Sequence, residues 1–358
     1  MEDLVGNLKK LGGKRILITG HTGFKGSWLT EWLLKYGSEI IGVANAPEVS
    51  PSHFDQLGLA ERIHHHLCDI RNSDDLHKVF TKHQPQVVFH LAAQALVRRS
   101  YRDPKETFDV NVGGGINVLE AVRHCPSVEA LVFVTSDKCY LNKELTRGYT
   151  EEDELGGLDP YSASKASAEL AFATYNAAYF RDRNGFSAAS ARAGNVVGGG
   201  DWSEDRIVPD CMRSLMTAAP ISLRRPQATR PWQHVLEPLS GYITLASQLL
   251  TDSNDVSGSW NFGPNEGSVY SVLDVVQECM NNWGSQSKIE LHHSDVHEAG
   301  LLQLNCDKAK KGLGWAPRWD FKRTFVETTE WYKQASQGQP IGAITLEQIT
   351  RYEETRND

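Results

Sequence analysis

Short apolar runs alternate with amphipathic stretches along the first half of the chain. The apolar runs predict β-strands at 15–19, 39–44, 65–68, 87–91, 130–135 and 187–192. The stretches between them predict helices at 27–36, 73–83, 104–124 and 161–183. This alternation is typical of crossover units, so we predict an α/β fold with a doubly wound parallel sheet.

A glycine-rich turn follows the first predicted strand. Gly20, Gly23 and Gly26 are spaced three residues apart, directly before the first predicted helix. Glycine permits both the sharp turn and the approach of a pyrophosphate to the N-terminus of the helix. A glycine-rich turn can also be turn chemistry alone, but its place between strand and helix favours a dinucleotide-binding Rossmann sheet.

The pattern changes after residue 193. Residues 194–201 are rich in glycine, and a proline-containing loop carries Arg224, Arg225 and Arg230. A helix at 235–250 and a strand at 260–263 then return to the first pattern, and helices are predicted at 271–282, 307–313 and 324–335. We therefore predict a dinucleotide-binding domain (1–193 and 235–263) interleaved with a smaller C-terminal α/β substrate domain (194–234 and 264–358).

Composition narrows the range of partners and compartments. The 358 residues carry a net charge of −8, which argues against a nucleic-acid or membrane partner. The six cysteines form no CxxC pair, and no apolar signal core or run of 18 apolar residues is present, so we expect a cytoplasmic protein. The histidine clusters at 64–66 and at 292, 293 and 297 lack a ligand spacing, so we predict solvated histidines and no metal.

Tyr161 and Lys165 are candidates for chemistry. They stand four residues apart in a predicted helix, where Asp159 and Pro160 suit the N-cap and first turn. Residues four apart share a helix face, so the phenol and the ammonium can meet beside one substrate. We expect the cation, together with an oxidised nicotinamide, to lower the pKa of Tyr161 toward neutrality.

Five phrases carry a resemblance over nearly the whole chain: GHTGFKGSWL (20–29), AQALVRRSY (93–101), SDKCY (136–140), GNVVGGGDW (194–202) and RPWQHVL (230–236). With them the chain resembles the extended short-chain dehydrogenase/reductase family, and within it the nucleotide-sugar 4,6-dehydratases. The resemblance implies CDP-glucose as substrate and NAD as cofactor. The implied product, CDP-4-dehydro-6-deoxy-glucose, suits deoxysugar assembly for the O-antigen of bacterial lipopolysaccharide.

The resemblance also implies catalytic roles for Ser136, Asp137, Lys138, Tyr161 and Lys165. Tyr161 takes the proton of the C4 hydroxyl while hydride leaves C4, Ser136 hydrogen-bonds the C4 oxygen, and Asp137 protonates the departing C6 hydroxyl. Lys138 departs from the glutamate that related dehydratases use as the C5 base. It either handles the C5 proton as a neutral amine or stabilises the enolate by its charge.

For the cofactor, Asn45 stands where NAD-preferring folds usually place an acid, so weak retention is expected and NADP stays open. The predicted cofactor residues are Gly20, Thr22, Gly23, Phe24, Lys25, Gly26, Asn45, Asp69, Ile70, Leu91, Ala92, Ala93, Tyr161 and Lys165.

For the nucleotide sugar, guanidinium groups suit an anionic diphosphate. The predicted substrate residues are Arg98, Asn195, Arg230, Trp232 and His234, with Arg224 and Arg225 as weaker candidates. The resemblance further implies a homodimer or homotetramer, in which the helices at 104–124 and 161–183 pair across a two-fold axis.

Two other classes of function stay open. One is a different nucleotide-sugar enzyme of the same family, namely another 4,6-dehydratase, a 4-epimerase or a reductase. An epimerase needs no acid for C6, so Asp137 and Lys138 argue against it. The other is a non-catalytic dinucleotide sensor, against which the pair Tyr161 and Lys165 argues.

Overall fold

The computed structural model describes residues 3–251, 256–291 and 302–355. Its strands are β1 (Arg15–Thr19), β2 (Glu39–Ala44), β3 (His64–Leu67), β4 (Val87–His90), β5 (Ala130–Val134), β6 (Ser187–Ala193), β7 (Val196–Val197), β8 (Ile221–Leu223), β9 (Thr229–Arg230), β10 (Gln233–His234), β11 (Gly258–Phe262), β12 (Tyr270–Ser271) and β13 (Ile289–Leu291).

Its helices are α1 (Leu4–Leu11), α2 (Phe24–Lys35), α3 (His53–Gln56), α4 (Ser73–His83), α5 (Val97–Arg102), α6 (Pro104–Phe108), α7 (Gly115–Arg123), α8 (Pro160–Tyr175), α9 (Ile207–Thr217), α10 (Leu236–Leu249), α11 (Val272–Trp283), α12 (Asp307–Gly312), α13 (Phe321–Ser336) and α14 (Ile341–Glu354).

A seven-stranded parallel sheet forms the centre of the fold, in the order β11-β6-β5-β4-β1-β2-β3. Thr19 at the end of β1 is in register with Val43 of β2 and with His90 of β4. The carboxyl ends of these strands therefore meet at one edge, where ligands of such sheets bind. The predicted α/β fold with a doubly wound parallel sheet is confirmed.

Three two-stranded sheets lie outside the central sheet and use segments that follow residue 193: β7 with β10, β8 with β13, and β9 with β12. Between the segments of these small sheets, the chain returns to the central sheet twice. Helix α10 packs on β5 and β6, and β11 adds to the sheet beside β6. The chain after residue 193 thus contributes both to the small sheets and to the central sheet.

Several elements differ from the predictions in their bounds. The predicted helix at 104–124 is α6 and α7 joined by a π-helical segment, Asp109–Gly114, and the predicted helix at 161–183 ends in a second one, Asn176–Phe180. Helices α9, α14 and the amphipathic helix α1 were not predicted from the sequence; Leu4, Leu8 and Leu11 of α1 are buried. Helix α1 packs on α10, so its apolar face is part of the core.

The structure shows the surroundings of the six cysteines and of the histidine cluster at 64–66. All six cysteines are buried free thiols. His64 is exposed, in line with the predicted solvation. The other two histidines of this cluster contact further histidines: His65 Nδ1 lies 2.7 Å from His21 Nε2, and His66 Nε2 lies 2.8 Å from His83 Nε2. The cluster at 292, 293 and 297 lies outside the described residues.

Two searches of the described ranges complete the fold. Within residues 3–251, 256–291 and 302–355, no group of three or more histidine, cysteine or acidic side chains has an arrangement that would hold a metal ion. Across the same ranges, no helix combines the length and the apolar character that crossing a membrane requires.

Candidate active site

A cavity of about 900 Å³ opens at the carboxyl ends of the central strands. Every residue predicted for the cofactor and every residue predicted for catalysis lines it, from Gly20 in the first turn to Lys165 in α8. Asn195 and Trp232, which come from the segment after β6, line it as well. Residues from before and after β6 therefore line one cavity.

The glycine turn is packed too tightly for a side chain at Gly20 or at Gly26. Gly20 has a φ of 77°, and a Cβ atom there would lie 2.7 Å from the Ala92 nitrogen. A Cβ on Gly26 would lie 2.1 Å from the Gly20 oxygen. Gly23 is the N-cap of α2 and offers no side chain to cap it, so the first N–H groups of α2 stay available to an anion.

The far end of the cavity is polar. The Thr22 hydroxyl donates to the Asn45 carbonyl at 2.9 Å, which joins the glycine turn to the end of β2. Asp69, after β3, forms an ion pair with Arg71 at 2.6 Å. The Arg71 side chain holds the pKa of Asp69 below its usual value, and a hydrogen bond from Asn45 adds to this effect.

Helix α8 places Tyr161 and Lys165 on the cavity wall. Its start is as predicted, with Pro160 in the first turn and the Asp159 side chain accepting from the Ser162 N–H at 2.9 Å. Both functional side chains are buried, and Lys165 Nζ lies 6.0 Å from the centre of the Tyr161 ring.

Burial dominates the proton affinities of this pair. It raises the pKa of Tyr161 to about 12, although a hydrogen bond with Ser136 and the charge of Arg206 oppose it. Burial also lowers the pKa of Lys165 to about 8, against the effects of Cys139 and Glu169. The predicted lowering of the Tyr161 pKa is therefore not achieved by the protein's own groups, because the loss of hydration outweighs them.

A 3₁₀ turn after β5 brings the other catalytic candidates to Tyr161. Ser136 caps the turn and donates from its Oγ to Asp137 Oδ1 at 2.9 Å. Asn195 donates to the other carboxylate oxygen of Asp137 at 3.4 Å. Asp137 is only 3% exposed, so its carboxyl group sits in a closed part of the cavity beside the tyrosine.

Arg206 is a further candidate, which was not predicted from the sequence. It is the N-cap of α9, lines the cavity and pairs with Asp201 at 3.0 Å. Lys25 faces the same region; burial lowers its pKa to about 7, and the charges of Arg206 and Lys165 act in the same direction. The signal was present in the sequence, since Arg206 directly precedes an apolar stretch that begins a helix.

The structure does not bring three of the predicted substrate residues to the cavity wall. Arg98 pairs with Asp205 at 3.3 Å, and Arg230 donates to the adjacent Thr229 carbonyl at 2.7 Å. His234 is fully buried, with ring centres 6.0 Å from Trp28 and 4.8 Å from Trp319. The His234 ring therefore packs in an aromatic core, and its assignment to the substrate stays a prediction.

The comparisons with known proteins agree with this geometry. The sequence profile of the GDP-mannose 4,6 dehydratase family matches residues 17–328. The chain is 42% identical to the CDP-glucose 4,6-dehydratase of Salmonella typhimurium over 346 residues, which cover 95% of this chain and 96% of that one. The chain belongs to the extended short-chain dehydrogenase/reductase family.

Solved structures of this family share the fold. The UDP-glucose 4-epimerase of Thermus thermophilus, in complex with NAD, superposes with a TM-score of 0.74 at 25% identity, covering 90% of this chain and 99% of that one. The dTDP-glucose 4,6-dehydratase of Bacillus anthracis, in complex with NAD, gives a TM-score of 0.75 at 23% identity, covering 91% and 98%.

Proposed function

We propose that the protein is a CDP-glucose 4,6-dehydratase, which converts CDP-glucose to CDP-4-dehydro-6-deoxy-glucose and water. The observation that carries this proposal is the 42% identity, over nearly the full length of both chains, to the Salmonella enzyme of that activity. The geometry supports it, because a phenol, an amine, a hydroxyl and a carboxyl group converge on one cavity. This is the set that an internal oxidation and elimination requires.

The residues of the cavity fit NAD as the cofactor. Gly20 and Gly26 form a cradle that a Cβ atom would fill, and the uncapped start of α2 suits the pyrophosphate. We assign Asn45 and Asp69 to the adenosine half, and Tyr161 and Lys165 to the nicotinamide half. When bound, NAD accepts a hydride from C4 of the sugar and returns it to C6.

Tyr161 serves as the base that removes the C4 hydroxyl proton. Ser136, which shares a hydrogen bond with Tyr161, holds the C4 oxygen. Arg206 provides positive charge that favours the phenolate, and Lys165 Nζ lies 6.0 Å from the centre of the Tyr161 ring. The resulting 4-ketone acidifies the C5 hydrogen, which prepares the loss of water from C5 and C6.

Asp137 and Lys138 serve the elimination. Asp137 delivers a proton to the departing C6 hydroxyl, and its carboxyl group is held for this by Ser136 and Asn195. Lys138 lines the cavity next to it and takes up the C5 proton. For the nucleotide sugar, Asn195 and Trp232 are the contacts that line the cavity, whereas Arg98 and Arg230 would have to leave their present partners.

We also propose that the protein forms a homodimer or a homotetramer through α6–α7 and α8. Large apolar side chains are exposed near or on these helices, including Tyr101, Phe108, Leu170 and Tyr179. Exposed apolar side chains that come together in a patch often mark an interface between subunits. Sedimentation of the wild type and of Leu170→Lys tests this, since a monomeric wild type contradicts it.

We retain the predicted division into a dinucleotide-binding domain (1–193 and 235–263) and a substrate domain (194–234 and 264–358). The course of the chain in and out of the central sheet supports it. We also retain a cytoplasmic location, which the six free thiols support, since thiols stay reduced in that compartment.

The experiment that tests the activity offers the purified protein four donors, namely CDP-, dTDP-, UDP- and GDP-glucose, together with NAD. Mass spectrometry of the products distinguishes the candidate reactions. Loss of one water from CDP-glucose alone supports the proposal. An isomer of unchanged mass indicates an epimerase, stoichiometric use of reduced cofactor indicates a reductase, and tight NAD binding without turnover indicates a sensor.

A further inference from the structure

A buried ion pair lies behind the active site. Glu169 stands one helical turn beyond Lys165 in α8, and its Oε2 lies 2.6 Å from Nη2 of Arg192 in β6. The two side chains are 1% and 3% exposed, and neither lines the cavity. Burying two charges costs about as much as their attraction returns, so stability alone is a weak reason for such a pair.

The carboxylate of Glu169 holds the segment that leads into the catalytic turn. Thr135, directly before Ser136 and Asp137, donates its hydroxyl to Glu169 Oε1. Ser190 of β6 donates to Glu169 Oε2 at 2.9 Å. The end of β5 is thereby fixed to α8, the helix that carries Tyr161 and Lys165.

The guanidinium of Arg192 holds the other side of the same turn. It donates from Nη1 to the Tyr140 hydroxyl at 2.8 Å and lies 5.0 Å from the centre of the Tyr140 ring. Tyr140 directly follows the Asp137–Cys139 turn, and its hydroxyl donates to Asn261 at 2.8 Å. Both flanks of the turn are therefore bound to one ion pair.

We propose that Glu169 and Arg192 are positioning residues of the active site, which set the placement of Ser136, Asp137 and Lys138 relative to Tyr161 and Lys165. The proposal rests on the proposed function. The positioning proposal goes beyond that function, because Glu169 and Arg192 touch none of the reacting groups and act through Thr135 and Tyr140. Errors of about 1 Å in such placement reduce rates about a hundredfold, so a rigid link of this kind has catalytic value.

The pair also acts on the charge of Lys165. The titratable groups that face Lys165 are Tyr161, Lys25, His90, Cys139 and Glu169. Burial raises the pKa of the Cys139 thiol well above its usual value, so Glu169 supplies the negative charge. The charge of Glu169 opposes the effect of burial on Lys165, so removing that charge lowers the pKa of Lys165 further.

Two variants separate the effects. Thr135→Val removes the hydroxyl link and leaves both charges in place, whereas Glu169→Gln removes the negative charge. For Thr135→Val we expect kcat for CDP-glucose to fall about tenfold or more, while KM and the dissociation constant of NAD stay near the wild-type values. For Glu169→Gln we expect the same loss and, in addition, a shift of the alkaline limb of the pH profile to lower pH.

Glu327→Gln is the matched control. Glu327 is a buried carboxylate that pairs with Arg323 and Arg351 outside the cavity, between α13 and α14. Its loss is expected to lower the melting temperature without changing kcat or the pH profile. If Thr135→Val and Glu169→Gln behave like this control, the pair is structural only and the positioning proposal is wrong.

The remaining outcomes are also decisive. If Glu169→Gln does not fold, Thr135→Val decides alone, since it keeps the ion pair. If the wild type does not dehydrate CDP-glucose, the proposed function is wrong, and the same variants are compared on the donor that it does convert. If the wild type converts no donor, both proposals are wrong.

Discussion

Gly194 and Asp137 lie so close that no side chain fits between them. A Cβ atom on Gly194 would be 2.0 Å from the carboxyl carbon of Asp137 and 2.0 Å from its Oδ2. Gly194 is the first residue after β6, and Asp137 follows β5, so two neighbouring strands end against each other at this point. The glycine lets the proposed acid sit beneath the segment that carries Asn195.

Gly194→Ala is therefore expected to displace the Asp137 carboxyl group and to reduce kcat about a hundredfold, because the acid leaves its place beside the substrate. Steady-state kinetics with CDP-glucose checks this, with NAD affinity as the second measurement. Gly342→Ala in α14 is the control, since its Cβ would meet nothing within 4 Å. Equal activity of the two variants would show that Asp137 tolerates displacement.

Lys138→Ala tests the C5 base. If Lys138 takes the C5 proton, the variant is expected to lose solvent deuterium incorporation at C5 of the product along with turnover. Mass spectrometry and NMR of the product formed in deuterated water measure this. Lys143→Ala, at an exposed lysine paired with Glu154, is the control. Undiminished exchange in Lys138→Ala excludes the base role and leaves electrostatic stabilisation of the enolate.

The residues that line the cavity around the glycine turn could be predicted from the sequence, because their placement depends on local rules. The strand, the glycine turn and the helix are contiguous in the chain, so Gly20, Gly23 and Gly26 are read together. The start of helix α8 could be predicted equally well, since Asp159 and Pro160 mark it.

The substrate side was harder to predict because it depends on distant contacts. Arg98 and Arg224 suit a diphosphate by chemistry, yet both pair with Asp205 in the structure, 107 and 19 residues away in the chain. His234 has no local feature that separates a substrate contact from a core histidine. Its burial against Trp28 and Trp319 becomes visible only in three dimensions.

The glycine turn predicts how NAD binding responds to substitution. Gly26→Ala is expected to abolish binding, since its Cβ would lie 2.1 Å from the Gly20 oxygen and force the turn open. Gly23→Ala is expected to keep the fold, because its Cβ would make an ordinary contact of 3.4 Å with the same oxygen. Any loss of NAD affinity in Gly23→Ala therefore reports contact with the pyrophosphate.

Fluorescence titration with NAD, together with melting temperatures, distinguishes a disrupted turn in Gly26→Ala from a lost pyrophosphate contact in Gly23→Ala.

The wild type is expected to gain activity when NAD is added to the purified protein, because Asn45 is a weaker ribose ligand than a carboxylate. A purified protein with a full complement of NAD and no response to added NAD would contradict this expectation. Gly26→Ala with normal NAD affinity would contradict the assignment of the turn.

Buried histidines predict loss of stability in mild acid. Burial lowers the pKa of four of them to about 3, namely His21, His53, His90 and His234. The unfolded chain, with histidine pKa values near 6.5, binds more protons than the folded one between these limits. The free energy of unfolding should therefore fall below pH 6.5, by about 1.4 kcal/mol per pH unit for each histidine.

Glu237 acts in the opposite sense, because burial raises its pKa to about 7 and the folded state then gains stability as the pH falls from 7 toward 4.5. The net slope is set by the larger number of histidines. Urea unfolding at pH 7.5, 6.5 and 5.5 measures it, with exposed His77→Gln as the control. A free energy of unfolding that stays constant across this range would contradict the prediction.

Arg206 offers a test of how the site activates Tyr161. Its charge lowers the pKa of the phenol, while burial acts more strongly in the other direction and raises that pKa to about 12. Arg206→Gln is expected to raise the pKa further, so that kcat falls about tenfold near neutral pH and the acid limb of the pH profile moves to higher pH. Arg206→Lys keeps a cation there and should lose less.

The variant also leaves the buried carboxylate of Asp201 without its ion-pair partner, and an uncompensated buried charge is a second way to disturb the cavity. The double variant Arg206→Gln/Asp201→Asn removes that charge. If the shifted acid limb persists in the double variant, the cation acts on Tyr161 as argued. If the double variant regains the wild-type profile, the effect came from the unpaired Asp201, and Arg206 has no part in activating the phenol.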